Sequence, residues 1–171
     1  MKCYLFPYCR QGQKFYLIYL INSISTRNSD VFVTDSDGKI LSFNNLDEAK
    51  KSSHLLCPDM FIEEIGFFIQ FDPIIEWVNG ESYKIPAIKQ LDYVWNYLFY
   101  PMISTYDNID KEILDLLVKH RTTLSKFINI CLTCSDNELD SLNLSKEILI
   151  SLKELIASEI RFFDEHTKII Y

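Results

Sequence analysis

The sequence predicts an α+β fold, an N-terminal antiparallel sheet packed against C-terminal helices in a single domain. Three observations predict it. Strand-like runs dense in Tyr, Phe, Leu and Ile occupy residues 1–45. Helical spacing dominates from residue 46 onward, with one further strand expected near 65–71. The length of 171 residues fits one core, because a chain of this size buries about 70% of its unfolded surface. Hydrophobic residues make up 48% and charged residues 24%, a globular balance that excludes disorder and fibrous folds.

The elements follow in order. Cys3–Tyr8 and Phe15–Ile21 read as strands, and the polar spacer 9–14 with Gly12 reads as their hairpin loop. Val31–Thr34 and Lys39–Phe43 flank Asp35-Ser36-Asp37-Gly38, a second hairpin signal. Asn44 and Asn45, followed by Asp47 and Glu48, cap a helix through residue 56 that Pro58 stops. The apolar run Ile65–Phe71 predicts a buried strand. Asp72-Pro73 then reads as an N-cap with Pro at the first helical position, and Asn79-Gly80 as the helix end. A segment after Pro86 places Ile88, Leu91, Trp95, Leu98 and Met102 at helical spacing, with Pro101 kinking or ending it. A longer helix is expected to present Ile113, Leu117, His120, Leu124, Phe127 and Cys131 on one face. Ser145 caps a last helix with the stripe Leu149, Leu152, Ile156, Ile160 and Phe163. Its other face, with Lys146, Lys153, Glu154, Ser158 and Arg161, is expected at the surface. Phe15, Tyr16, Phe32, Trp95 and Phe127 are expected in the core.

Charge separates function classes. The net charge is −7 and the pI about 4.9, against the basic balance of a nucleic-acid binder. Residues 1–58 carry +2 and residues 59–171 carry −9. Asp59, Glu63, Glu64, Asp72, Glu76 and Glu81 fall in 23 residues without a Lys or Arg. A solvated face is the ordinary origin of such a run. A surface for a basic protein is the functional alternative, since complementary charge speeds association.

The remaining motifs are weak. Cys131-Leu132-Thr133-Cys134 is a lone CxxC at a predicted helix C-terminus, where the dipole disfavours a thiolate, and it lacks a second ligand pair for zinc. His54 and Cys57 are three apart, without a third group to orient them. His120 on an apolar face reads as a core histidine. No phosphate-binding glycine loop, zinc-protease, serine-hydrolase or calcium-loop motif occurs. These readings predict no catalytic residue, no metal and no cofactor. Five cysteines, no signal peptide and no spanning run predict reduced thiols in a cytoplasmic protein without membrane association.

The segments VFVTDSDGKILSFNNLDEA, FIQFDPIIEWVNG and LDYVWNYLFY resemble immunity proteins of contact-dependent growth-inhibition and related polymorphic toxin systems. The shared pattern is a strand ending D-x-D-G-x-I-x-S-F joined to a helix, then strand–Asp–short helix–Trp, then Leu-x-x-x-Trp-Asn. It covers roughly residues 31–100. The chain departs from it at Tyr100-Pro101, where the family often carries an acid after the Trp-Asn pair. The resemblance implies a cytosolic protein that binds one cognate toxin domain, commonly a nuclease with a basic cleft, and blocks its active site without catalysis. It agrees with the acidic run, whose six residues are the candidate toxin-binding surface. An adaptor or regulatory protein-binding module is the alternative, and a small enzyme a lesser one.

Overall fold

The computed structural model describes residues 2–21, 31–80, 88–105, 111, 115, 118–119, 122, 126–127, 129–130, 133–134 and 144–171, with the backbone alone at 88, 95–96, 99–100 and 103–104. Strands β1 (Lys2–Arg10) and β2 (Gln13–Ile21) form the central hairpin. They are longer than the sequence reading, and only Gln11 and Gly12 lie between the paired residues Arg10 and Gln13. Both turn residues have positive φ, 51° and 69°, which matches the twist of a two-residue hairpin. Glycine adopts this freely, whereas Gln11 is held there at some cost.

Short strands line both flanks of this hairpin. β3 (Val31–Phe32) and β4 (Ile40–Phe43) pair antiparallel with β2. The turn between them forms as expected around Asp35. Its carboxylate accepts from the backbone N–H groups of Asp37 and Lys39, both at 2.9 Å, and Gly38 takes φ 77°. On the other flank, β5 (Ile62–Glu64) and β6 (Ile69–Gln70) pair parallel with β1. β7 (Thr167–Ile170) pairs parallel with β4. The sheet order is β5-β1-β2-β4-β7.

The α+β class therefore holds, but the sheet is mixed rather than antiparallel, because the later strands return parallel to their partners. Of the strand expected at 65–71 only Ile69–Gln70 (β6) is extended in the sheet; β5 lies before it, and Phe71 already begins a helix. β7 is absent from the sequence reading. Its four residues, Thr-Lys-Ile-Ile, are too few to announce themselves beside a 21-residue helix.

Helices cover both faces. α1 (Leu46–Leu56) begins where predicted, with the Asn45 side chain accepting from the N–H groups of Asp47 and Glu48. Its buried residues are small, Ala49 and Ser53, which lets it approach the sheet over Cys3, Leu5, Tyr16, Ile18 and Phe43. The other face carries α2 (Phe71–Asn79) and α5, a helix over Lys146–His166. Between them come α3 (Ile88–Tyr93), a π-helical stretch (Val94–Phe99) and α4 (Tyr100–Thr105). Pro101 thus neither ends the helix nor stops its register. The wider π turn precedes it, where a missing N–H is absorbed at least cost. All described residues between 111 and 133 are α-helical.

The larger core joins Phe6, Tyr8, Phe15 and Leu17 to Phe71, Trp77, Phe127 and Phe163. Phe15, Tyr16, Phe32 and Phe127 are buried as expected, while the Trp95 side chain lies outside the described residues. α5 is buried more widely than its stripe predicts. Ser151, Ser158 and Glu159 are enclosed as well, because α5 is a central helix. Lys119 reaches Glu154 on it at 2.8 Å.

Candidate protein-interaction surface

The carboxylates singled out by sequence have different fates. Glu63 and Glu64 are neighbours on β5, so they leave the sheet on opposite faces. Glu64 turns to the α1 side and meets Lys50 at 2.8 Å, so a cation does approach it despite the cation-free sequence around it. Glu63 is exposed, in register with Tyr4. Asp59 is exposed in the loop after α1, and Glu76 is exposed on α2, away from the buried Phe71, Ile74 and Trp77. None of Asp59, Glu63 and Glu76 forms an ion pair with a described residue. Glu81 lies outside the described residues, as do Asp136, Glu138 and Asp140.

Asp72 does something else. The N-cap of α2 is Gln70, without a side-chain cap bond, so the capping role expected of Asp72 is incorrect. Its carboxylate instead accepts from Gln11 N–H at 2.6 Å and Gly12 N–H at 2.9 Å. It clamps the central hairpin turn from 60 residues away and holds Gln11 in its left-handed conformation. Asp72-Pro73 looks like a cap in sequence because both roles need a short acceptor; only the tertiary fold distinguishes them.

The same region carries a feature that charge counting missed. Leu55 is 82% exposed and Phe61 80%, and Leu56 and Phe68 are exposed too. These are half of the large hydrophobic residues exposed among the described ones, and all fall between 55 and 68. Phe61 stands between the free carboxylates of Asp59 and Glu63 in sequence. The fold explains why they are left outside. Ala49, Ser53 and Cys57 recur every four residues and are the positions α1 turns inward, which leaves Leu55 without a core to enter. Ile62 packs on the α1 face, so its neighbour Phe61 is turned out. An exposed apolar group with an acidic surround is the make-up of a protein-binding patch, an anchor with a charged rim. The available signal was the small-residue spacing of α1, which identifies the buried side and hence the apolar residues off it.

The thiols and histidines are placed less suggestively. Cys57 is buried against Cys3, whereas His54 is exposed. Burial, with Cys57 alongside, pushes the Cys3 thiol up to about 11, far from a reactive thiolate. Cys3, Cys9, Cys57 and Cys134 are free thiols; Cys131 and His120 lie outside the described residues. His166 bonds the Phe162 carbonyl through Nδ1 at 2.8 Å and stacks on the Phe162 ring. No group of three or more His, Cys, Asp or Glu among the described residues could hold a metal ion. No described helix is long and apolar enough to cross a membrane.

Neither a family model nor a curated protein matches this chain. A solved structure, titled the crystal structure of SatS C-terminal domain in complex with bromine, is similar in fold. It aligns at a TM-score of 0.57 with 9% identity, over 98% of this chain and 94% of that one. The likeness spans sheet and helices together, so the strand-and-helix arrangement is shared as a unit. At that identity it extends to the fold alone.

Proposed function

We propose that the chain is an immunity-type protein that binds a cognate toxin domain, a nuclease with a basic cleft, and neutralises it by covering the active site without catalysis of its own. The observation that carries this reading is the outward-facing Phe61, flanked in sequence by the exposed carboxylates of Asp59 and Glu63, with Leu55 and Leu56 exposed on the preceding helix. An apolar anchor supplies affinity, and a surrounding negative charge steers a basic partner. The net charge of −7 and the resemblance of residues 31–100 to immunity proteins support the same reading.

The test uses a toxin domain whose gene adjoins this one, which the reading requires to exist. Phe61→Ala is expected to slow nothing in folding and to weaken the complex at least about tenfold, as truncating an anchor does. Replacing Glu63, Glu64, Glu76 and Glu81 together by Lys is expected to lower the association rate by about 10-fold or more. That rate in the wild type should fall as salt rises from about 50 to 500 mM, since screening shortens to under 10 Å. Wild-type rates and cell protection in both variants would remove this surface. The exposed leucines also favour a second reading, an adaptor that docks an amphipathic helix. In that case Phe61→Ala weakens binding while salt leaves the rate unchanged.

A further inference from the structure

A second site lies where α5 runs directly into β7, against the turn end of the β1–β2 hairpin. The strands and helix leave a cleft of about 200 Å³ there. Its floor is Tyr8 and Phe15, stacked with ring centroids 5.3 Å apart. Phe163 closes it from α5, edge-on to Tyr8 at 5.5 Å, and Ile169 of β7 forms the outer wall. Arg10 and Asp164 form an ion pair at the mouth, joined through both guanidinium nitrogens and both carboxylate oxygens. Their side chains are 24% and 39% exposed, against almost none for the rings.

The cleft is rigid before anything enters it. The Tyr8 hydroxyl is tied to Ser42 Oγ at 2.7 Å, and Phe163 also stacks on Phe71 at 5.6 Å. A preformed apolar cleft with a few convergent polar groups is the usual form of a small-ligand site. A cavity of about 150 Å³ lined by apolar side chains holds benzene, so this one accommodates a single ring with a substituent.

The mouth decides which substituent. An anionic group would meet Asp164 and a cationic group would meet Arg10, each already neutralised by the other. A neutral hydroxyl suits both, since its O–H donates to Asp164 while its oxygen accepts from an Arg10 N–H not committed to the pair. Thr167 in the wall adds a hydroxyl whose oxygen is buried without a partner. We propose that this cleft binds a phenolic ring, either a free small phenol or the tyrosine side chain of another protein.

The full-length chain, isotope-labelled, is titrated with 4-methylphenol and followed by amide chemical shifts. Saturable shifts are expected at Gln11 and residues 164–169. Benzoate and benzylamine, of similar size but charged, should bind at least about tenfold weaker. Ile169→Trp fills the cleft from its exposed wall and should abolish the shifts with the melting temperature retained. Asp164→Asn leaves Arg10 unpaired, so this variant should prefer benzoate to 4-methylphenol. The peptide Gly-Tyr-Gly separates the sources: binding alongside 4-methylphenol points to a tyrosine, and exclusion of the peptide points to a free phenol. Absence of saturable shifts with 4-methylphenol, equal affinity for benzoate, or unchanged binding in both variants overturns the proposal.

Discussion

On one face of the sheet, rings from Tyr8, Phe71 and Phe163 interlock at 5.5 to 5.6 Å. On the other, a single helix rests two small residues, Ala49 and Ser53, on Cys3, Leu5 and Phe43. Large rings bury large areas and cannot be displaced without leaving a void. Small residues bring α1 close but enclose little, and they leave the apolar Leu55 and Leu56 in solvent. Aromatic density thus fixes the architecture on one side, while on the other an apolar surplus remains available for a partner.

The comparison breaks first if the aromatic face is not the stable one. Phe163→Ala should cost about 3–5 kcal/mol in urea unfolding, as buried rings do. A loss below about 1 kcal/mol would mean that the stability resides elsewhere.

The aromatic side also contains a flaw. Glu159 is fully buried on α5, and neither carboxylate oxygen has a hydrogen-bond partner among the described residues. Burial raises its pKa well above the usual carboxylate range. It therefore stays protonated in the fold at pH values where the unfolded chain ionises it. Its contribution is harmless below about pH 4.3, the ordinary value for Glu. Above that, stability falls by about 1.4 kcal/mol per pH unit until the folded-state pKa is reached. Glu159→Leu should stabilise the protein by about 1–4 kcal/mol at pH 7 and flatten this slope. Thermal melts across pH 4–8 that are equally steep in both proteins would refute the assignment.

Asp72 sharpens the contrast between structural and free carboxylates. Asp72→Ala removes two charge-assisted bonds to the hairpin turn and should cost about 1–3 kcal/mol. Gln11→Gly in that background should recover part of the loss, because glycine accepts the positive φ unaided. Glu76→Ala, by contrast, should change stability by less than about 0.5 kcal/mol. Equal costs for Asp72 and Glu76 would show that the clamp carries nothing.

Asp35 gives the smallest effect, and of opposite sign to Glu159. The hydrogen bond from Lys168, then those from the backbone of Lys39 and Asp37, hold its carboxyl below the usual value. Its contribution is present above the unfolded value of about 3.9 and is lost as pH falls through the lowered one. Asp35→Asn should thus remove a small acid-side loss of stability, seen as a shallower decline below pH 4.

Much of the fold was legible because its signals are local. Asn45 and Ser145 sit at the N-caps that the sequence indicates, Asp35–Gly38 forms its turn, and the stripe of α5 is buried. What was not legible depends on distant partners. The parallel pairing of β5, β6 and β7 needs strands met across the whole chain, and short strands carry little periodicity of their own. The hairpin role of Asp72, the burial of Glu159 on a face rich in charge, and the meeting of Arg10 with Asp164 are likewise contacts between remote segments. The candidate surface was half legible: the acids were visible as composition, while the exposure of Leu55 follows from which side of α1 meets the sheet and that of Phe61 from the inward turn of Ile62.

The far edge of the sheet is completed by β7, whose Lys168 bonds the Asp35 carboxylate 133 positions earlier in the chain. A ribosome making this protein therefore delivers β4 long before the strand that covers its side. Until residues 146–170 emerge, the apolar seat of α5 and the edge of β4 stand open to other nascent chains. A chain halted between β4 and β7 would therefore carry an unpaired β4 edge, adhesive toward other chains.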